Sequence, residues 1–205
     1  MDYTTLATPD SVQRASAGLK TRRFEPIMVE SGAKALELVK TLIPKGASVM
    51  NGASVTLEEI GFVDYLKSGQ HGWNNLHAAI LAENDAAKRH LLRNQSSLSD
   101  YYLGSVHALS ETGEMIIASN TGSQLPHLVY TSQNLILVVS TMKITPTLEA
   151  ALERLENHVV PLEDAHMKRL YGLGTTRNKT IILHGESGMM KRSVKVLLVN
   201  EKLGF

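Results

Sequence analysis

Three short polar turns hold the residues of this sequence whose types and spacing could bind or activate a small ligand. The first turn follows an apolar run, opens a helical pattern and consists of Asn51, Gly52, Ala53, Ser54 and Val55. The N–H groups at the start of a helix are unpaired and carry about half a positive charge, so small residues there let an anion approach the backbone. Glycine and asparagine are also ordinary turn residues, so a turn without a ligand explains the same stretch. The turn matches neither the P-loop pattern nor the dinucleotide-binding fingerprint.

The other two turns also carry glycine: the second consists of Glu111, Thr112 and Gly113, and the third contains Gly122, Ser123 and Gln124. If the two turns meet the first turn at one edge of a sheet, Glu111 becomes a carboxylate inside a cleft. A carboxylate in that position could act as a general base or a nucleophile. Hairpin and helix-cap turns that face water have the same composition, and this interpretation stays open.

Two basic side chains could join these turns. His107 precedes Glu111 by four residues, and residues of equal parity share one face of a continuous strand. Lys143 follows the apolar run Asn134–Ser140 and would stand at the end of that buried strand, where it could pair with a carboxylate or phosphate. A hydrogen-bonded core histidine and a solvated loop lysine are the alternatives.

The absence of cysteine limits the chemistry that this chain can perform. It excludes disulfides, thiolate zinc sites, cysteine nucleophiles and iron–sulfur ligation by cysteine from this chain. Glu163 and His166 have the Glu-x-x-His spacing found in di-iron helix bundles, but the motif occurs once, so we predict no metal site. The identity of any cofactor stays open.

The turns are embedded in an alternation of strand and helix patterns. Short apolar strands precede amphipathic helices along most of the chain, which predicts an α/β fold with a mainly parallel sheet flanked by helices. The strand patterns Tyr101–Ser110 and Glu114–Ser119 flank the second turn, so an antiparallel hairpin is expected within this architecture. Thr8 before Pro9 predicts the start of an N-terminal helix.

Composition narrows the possible partners and location. The 205 residues include 21 basic and 20 acidic side chains, so the formal charge of +1 gives no electrostatic footprint for nucleic acid. No apolar run approaches the roughly 18 residues of a membrane-spanning helix, and the N-terminus "MDYTTLATPD" lacks a secretory pattern. We therefore expect a cytoplasmic protein without a membrane or nucleic-acid partner. The sequence leaves open whether the chain forms a homo-oligomer.

Four ordered stretches resemble the LUD-domain family, the lactate-utilisation proteins, between about Phe24 and Phe205. These stretches are "GASVMNGASVTLEEIGF", "YYLGSVHALSETGEMIIASNTGSQLP", "LILVVSTMKITPTLEAALERL" and "KVLLVNEKLGF". The resemblance implies a single LUD domain over residues 1–205, with residues 1–23 as an N-terminal helical extension. It also implies the Rossmann-like fold of ribose-phosphate isomerase, glucosamine-phosphate deaminase and the CoA transferases, whose glycine turns hold phosphate or acyl ligands.

The resemblance further implies a function in organic-acid metabolism. Some members of the family belong to an iron–sulfur-dependent system that oxidises lactate to pyruvate. Other members carry a cysteine cluster, which this chain lacks, so electron transfer would require an iron–sulfur partner protein. A second hypothesis is a non-catalytic small-ligand binding or regulatory protein on the same fold. Whether the chain is an enzyme stays open.

The residues and the resemblance together predict an anion-binding cradle. The N–H groups of residues 52–55 would bind a small carboxylate or phosphate-bearing ligand. Lys143 would supply the opposing charge, because it ends a different buried strand that should point the same way. Glu111 would border the same cleft and move a proton on the ligand.

Overall fold

The computed structural model describes residues 2–205, over which helices and strands alternate. The predicted helical extension of residues 1–23 is represented by its part from residue 2 onward, and Met1 lies outside the described residues. The α-helices are α1 (Pro9–Thr21), α2 (Gly32–Leu42), α3 (Val55–Glu59), α4 (Phe62–Lys67), α5 (Leu76–Ala82), α6 (Ala86–Ser96), α7 (Leu148–Arg154) and α8 (Val160–Tyr171). The strands are β1 (Glu25–Val29), β2 (Ser48–Asn51), β3 (Asn74–Asn75), β4 (Tyr101–Gly104), β5 (Ala108–Ser110), β6 (Met115–Ser119), β7 (Asn134–Ser140), β8 (Ile144–Thr145), β9 (Lys179–Leu183) and β10 (Ser193–Val199).

A parallel six-stranded sheet forms the centre of the molecule, in the order β1-β10-β7-β4-β2-β3. Every neighbouring pair of strands in it is parallel. The predicted mainly parallel α/β fold is therefore confirmed. Strands β7 and β10 are apolar along most of their length because both faces of the sheet are covered. Strand β1, which contains Pro26, lies at one edge, where a residue without an N–H is tolerated.

The two faces of the central sheet bury different layers, and β7 shows the alternation. Leu137 and Val139 pack with helix α1 and the second sheet, whereas Ile136 and Val138 pack with helices α2, α3 and α4. Helix α7 covers the far side of the second sheet through Ala151. The resulting order of layers fixes the carboxyl edge of the central sheet against the second sheet.

The stretch Tyr101–Ser110 forms two strands in different sheets, and not the single strand that the pattern predicted. Strand β4 belongs to the parallel sheet, and after Ser105, Val106 and His107 the chain continues as β5 in a four-stranded mixed sheet of order β8-β5-β6-β9. The antiparallel hairpin β5–β6 forms as expected, but outside the central sheet. Ser105, Val106 and His107, where the chain passes from one sheet to the other, do not form a recognisable turn sequence. The crossing therefore depends on tertiary packing and could not be predicted from the local sequence.

The helix that follows the first turn is interrupted. The residues Thr56, Leu57, Glu58 and Glu59 have the pattern of a capping box, which predicts one helix to about Leu66, but Gly61 adopts φ +79° and separates α3 from α4. The cap is Ser54, whose side-chain oxygen accepts the Leu57 N–H at 3.3 Å. This shift leaves the Thr56 hydroxyl free to accept a different hydrogen bond, described below. Within residues 2–205, every helix is too short or too polar to cross a bilayer.

Candidate functional site

A cavity of about 480 Å³ opens where three parallel strands end. Asn51 ends β2, Ser105 follows β4, and Lys143 closes the 3₁₀ turn that follows β7. Ligands of open α/β sheets bind outside the carboxyl ends of the strands, so the cavity lies where this fold class places its ligands. Helix α8 and the segment around Phe205 form the opposite wall.

Lys143 is buried in the wall of this cavity, with 3% of its surface exposed. Its Nζ donates hydrogen bonds to Thr56 Oγ1 at 2.9 Å, Ser105 Oγ at 3.1 Å and the Val106 carbonyl at 3.3 Å. All three acceptors are neutral, and within residues 2–205 no carboxylate forms a salt bridge with Lys143. Burial disfavours the ammonium form, which lowers the pKa of Lys143 to about 7. The nearby Arg154 adds to this effect, and Glu59 opposes it more weakly.

Arg154 is a second buried cation without an anionic partner in the described chain. The side chain is fully buried, and its Nη1 donates to the His107 carbonyl. Its Nε and Nη2 have no hydrogen-bond partner among residues 2–205. A buried guanidinium with only one of its nitrogens hydrogen-bonded is costly, and burial lowers the pKa of Arg154 to about 10.

His107 joins Lys143 and Arg154 in this cluster and is kept neutral by it. Its ring lines the cavity, and Nδ1 accepts the Ala118 N–H at 3.1 Å. Burial, followed by the charges of Lys143 and Arg154, lowers the pKa of His107 to about 3. The inner end of the cavity is therefore lined by Lys143 and a neutral histidine, and the buried Arg154 adds positive charge near this wall, a combination that attracts an anion.

The first turn lines the cavity, but its glycine serves packing. The Gly52 N–H donates to the Leu103 carbonyl at 3.1 Å, so it is not available to a ligand, contrary to the predicted cradle. A Cβ at Gly52 would collide with the Tyr102 hydroxyl and lie 2.8 Å from Gln124 Oε1. The N–H groups of Ala53, Ser54 and Val55 have no acceptor within residues 2–205. The predicted anion-binding cradle therefore keeps three N–H groups, those of residues 53–55, and loses the fourth, that of Gly52.

The third turn meets the first turn, which is one of the two arrangements that the sequence left open. Ser123 and Gln124 line the cavity, and Tyr102 donates from its hydroxyl to Gln124 Oε1 at 3.3 Å. Gly122 has φ +86° and makes the bend that brings these side chains inward. Gln124 Nε2 is held by the Ala118 carbonyl at 3.1 Å, which fixes the orientation of the amide.

The second turn lies elsewhere, so the structure does not bring Glu111 to the cavity. The Glu111 carboxylate accepts two hydrogen bonds from Arg14 of helix α1, at 2.5 and 2.9 Å. These hydrogen bonds lower the pKa of Glu111. His107 precedes β5 and Glu111 follows it, so the change of sheet after β4 sends the two residues to opposite ends of a strand. Glu111 lines a separate groove of about 700 Å³ beside α1.

Close backbone packing explains the glycine of this second turn. Gly113 has φ +94°, and a Cβ there would lie 2.6 Å from the Gly18 carbonyl oxygen. The Thr112 carbonyl accepts the Arg22 Nε–H at 2.6 Å, and Arg22 also pairs with Glu114. Thr112 and Gly113 thus attach the hairpin to α1 and have no contact with the cavity.

Aromatic and polar residues of the cavity wall escaped the sequence analysis. His127 stacks on Tyr102 with ring centroids 4.4 Å apart and lies in a π-helical turn, His127–Thr131, a geometry that is frequent at functional sites. Burial lowers the pKa of His127 to about 4. His77 Nδ1 lies 3.3 Å from Asn51 Oδ1 and closes another part of the wall. Neither histidine belongs to a motif, so the sequence carried no signal for them.

Helix α8 supplies acidic and basic groups to the outer wall. Glu163 and His166 both line the cavity, and burial raises the pKa of Glu163. The His166 ring lies edge-on to Phe205 at 5.7 Å. No cluster of three or more potential metal ligands occurs in the part of the chain that the structure describes.

The fold and the cavity define a class of protein: a Rossmann-like α/β domain whose polar groups gather at the carboxyl edge of a parallel sheet. The chain belongs to the LUD-domain family, whose sequence pattern matches residues 12–199. The resemblance drawn from the four sequence stretches is confirmed.

A solved structure supports the same fold. The chain is similar to a DUF162 family protein from Deinococcus radiodurans, with 14% identity and a TM-score of 0.57. The alignment covers 96% of this chain and 100% of that protein. At this identity the likeness concerns the fold alone. The comparison with curated proteins gave no match.

Proposed function

We propose that this LUD-domain chain binds a small carboxylate or phosphate-bearing ligand in the cavity beside Lys143 and serves 2-hydroxy-acid (lactate-type) utilisation. The observation that carries the proposal is the position of Lys143, a buried cation in the cavity wall that forms no salt bridge within residues 2–205. The buried Arg154 adds positive charge nearby. Burying an ionised group without a counter-charge is strongly unfavourable, so such groups are retained where a ligand supplies the charge.

The surroundings fit an anion. Ala53, Ser54 and Val55 line the cavity, and their N–H groups have no acceptor within residues 2–205, while Ser123 and Gln124 add neutral hydrogen-bonding groups. Charge-assisted hydrogen bonds to a carboxylate or phosphate are about twice as strong as neutral ones, so Lys143 dominates the affinity.

The assignment to 2-hydroxy-acid utilisation rests on membership of the LUD-domain family and on the small size of the 2-hydroxy acids, which suits the cavity. Oxidation of a 2-hydroxy acid releases two electrons and two protons. Because the chain has no cysteine, it cannot hold an iron–sulfur cluster through thiolates, and we assign the electron acceptor to a partner protein.

A second candidate is a non-catalytic binding or regulatory protein. The position of Glu111 favours it, because the carboxylate expected to act as a base pairs with Arg14 outside the cavity. Turnover assays distinguish the two functions: binding of a 2-hydroxy acid without oxidation in the presence of an iron–sulfur electron acceptor supports the second.

Calorimetry with lactate, phosphate and coenzyme A tests the binding proposal. We compare the wild type with Lys143→Met and with Lys195→Met, a matched control in which the removed lysine pairs with Glu25 at the surface. Loss of the buried charge should weaken binding by roughly 1–3 kcal/mol, about 5- to 150-fold. The control should bind like the wild type. Equal affinities in all three proteins for every anion would contradict the proposal.

A further inference from the structure

The environment of Lys143 is built for an amine that can lose its proton. A lysine that only attracts anions is served best by an acidic partner or by solvent, both of which keep it charged. Here the three acceptors around Nζ are two hydroxyls and one carbonyl. The Thr56 and Ser105 hydroxyls can each donate or accept, so they satisfy the neutral amine as well as the ammonium form.

The second cation strengthens this arrangement. Arg154 lies close enough to Lys143 to disfavour its charge, and its effect on the pKa of Lys143 exceeds the opposing effect of Glu59. Arg154 itself forms no salt bridge among the described residues. Desolvation together with a neighbouring cation is a known way to activate a lysine as a nucleophile. Because a guanidinium stays protonated, Arg154 acts on Lys143 over the whole physiological pH range.

We infer that Lys143 is a nucleophilic amine that forms an imine with a small aldehyde or ketone carrying an anionic group. This inference rests on the proposed function, because the anionic group occupies the same cavity and the carbonyl carbon then lies beside Nζ. The unprotonated fraction of Lys143 reacts, and Ser123 and Gln124 of the same cavity hold the anionic end of the ligand.

The chemistry balances within the site. The Nζ lone pair attacks the carbonyl carbon and forms a C–N bond, while the carbonyl oxygen takes a proton. The resulting carbinolamine loses water, and the C=N bond forms. The hydroxyls of Thr56 and Ser105, both hydrogen-bonded to Nζ, can relay the protons between nitrogen and oxygen. No oxidant or reductant is consumed.

Borohydride trapping of the full chain tests the inference. Borohydride reduces an imine to a stable secondary amine, and intact mass with peptide mapping locates it. The probes are glyoxylate and pyruvate, which combine a carbonyl with a carboxylate, and acetone, which lacks the charge. We compare the wild type with Lys143→Arg, which keeps the charge but has no nucleophilic amine, and with Lys195→Arg as a surface control.

The expected result is one adduct on the peptide that contains Lys143 in the wild type and the Lys195→Arg protein, absent from the Lys143→Arg protein. Glyoxylate and pyruvate should label at least about tenfold faster than acetone, as a charge-assisted contact predicts. An adduct that persists equally in the Lys143→Arg protein would overturn the inference.

A pH series separates this inference from the proposed function. Trapping in the wild type should rise through about pH 7, where Lys143 loses its proton, well below the range of an ordinary lysine. Arg154→Gln should move this rise to higher pH, and if that variant does not fold, the wild-type profile remains decisive. Pyruvate binding in calorimetry without any trapped adduct overturns the inference alone. Absence of both binding and adduct with every probe overturns the proposed function as well.

Discussion

The cavity and the groove beside α1 use similar residues in opposite ways. In the groove, Arg14 pairs with Glu111 and Arg22 pairs with Glu114, so these two cations have acidic partners. Lys143, in the cavity wall, and the buried Arg154 near it form no salt bridge within residues 2–205. Paired charges attach the N-terminal helix to the hairpin. Buried charges without a counter-charge are unfavourable, and an anionic ligand can neutralise them. The pairing of the charge, more than the glycine turn beside it, distinguishes a structural contact from a candidate site.

The largest expected effect lies in the groove. Gly113→Ala places a methyl group against the Gly18 backbone and forces alanine into φ +94°. Neither backbone can retreat without moving α1, so we expect a loss of unfolding free energy of at least about 3 kcal/mol. Urea denaturation measures it. The control is Gly46→Ala, which has φ +82° and open space around the new methyl group, and which should cost only about 1 kcal/mol.

If Gly113→Ala costs no more than Gly46→Ala, the hairpin does not depend on its close contact with α1. The structural role that we assign to the second turn, in contrast to the first turn, would then be wrong.

The next effect concerns Lys143. Its pKa falls from 10.5 in the unfolded chain to about 7 in the folded protein. Below about pH 7 both states are protonated, and the folded state carries the whole cost of the buried charge. Between these two pKa values the unfolded state binds more protons, so the stability of the wild type rises with pH.

Lys143→Met removes this cost, and the variant should be more stable than the wild type below pH 7 by up to about 4 kcal/mol. The advantage should shrink as the pH rises toward 10. Thermal and urea unfolding across this range measure it. A variant that is less stable than the wild type at pH 6 would show that Lys143 is paired and structural, like the arginines of the groove.

A smaller effect is expected at the first turn. Gly52→Ala drives a methyl group toward the Tyr102 hydroxyl and Gln124 Oε1, which are side-chain atoms that can move. We expect a loss of about 1–2 kcal/mol of stability and a weaker affinity for anions, because Gln124 shifts within the wall. Denaturation and calorimetry check the two effects. Unchanged stability would show that the first and third turns are not packed together.

Glu111→Gln should have the smallest effect. The Glu111–Arg14 pair lies at the surface, with the Arg14 side chain more than half exposed, and solvent screens it. The unfolding midpoint should change slightly, and the affinity for lactate or phosphate should stay within about twofold of the wild type. A large loss of ligand affinity would return Glu111 to the site in which the sequence analysis placed it.

The sequence predicted those features that depend on a single helix or strand. The apolar run from Asn134 to Ser140 predicted β7 with its observed ends, because a strand buried on both faces excludes polar residues. Lys143 closes the turn that follows that strand, so its place at the carboxyl edge could also be predicted. The third turn follows β6 of the second sheet, so its place beside the first turn depends on how the two sheets pack.

Other features depend on contacts between distant parts of the chain. The change of sheet at residues 105–107 moved Glu111 away from the cavity, and no local pattern marks it. Arg154 stands in a helix rich in charged residues, a pattern typical of a solvated helix face, but the packing of α7 on the second sheet buries it completely. The sequence therefore could not predict that a second buried cation, Arg154, lies near Lys143 and lowers its pKa.

Calorimetric proton uptake tests the central claim most directly. At about pH 8, most of the buried Lys143 is neutral, and an anion bound beside it should raise its pKa and draw a proton from the buffer. Titrations of phosphate or lactate in buffers of different ionisation enthalpy should therefore show uptake of a fraction of a proton per ligand in the wild type and none in Lys143→Met. Binding that takes up no proton in the wild type, or the same amount in both proteins, would contradict the account of Lys143 as the unpaired charge that the ligand neutralises.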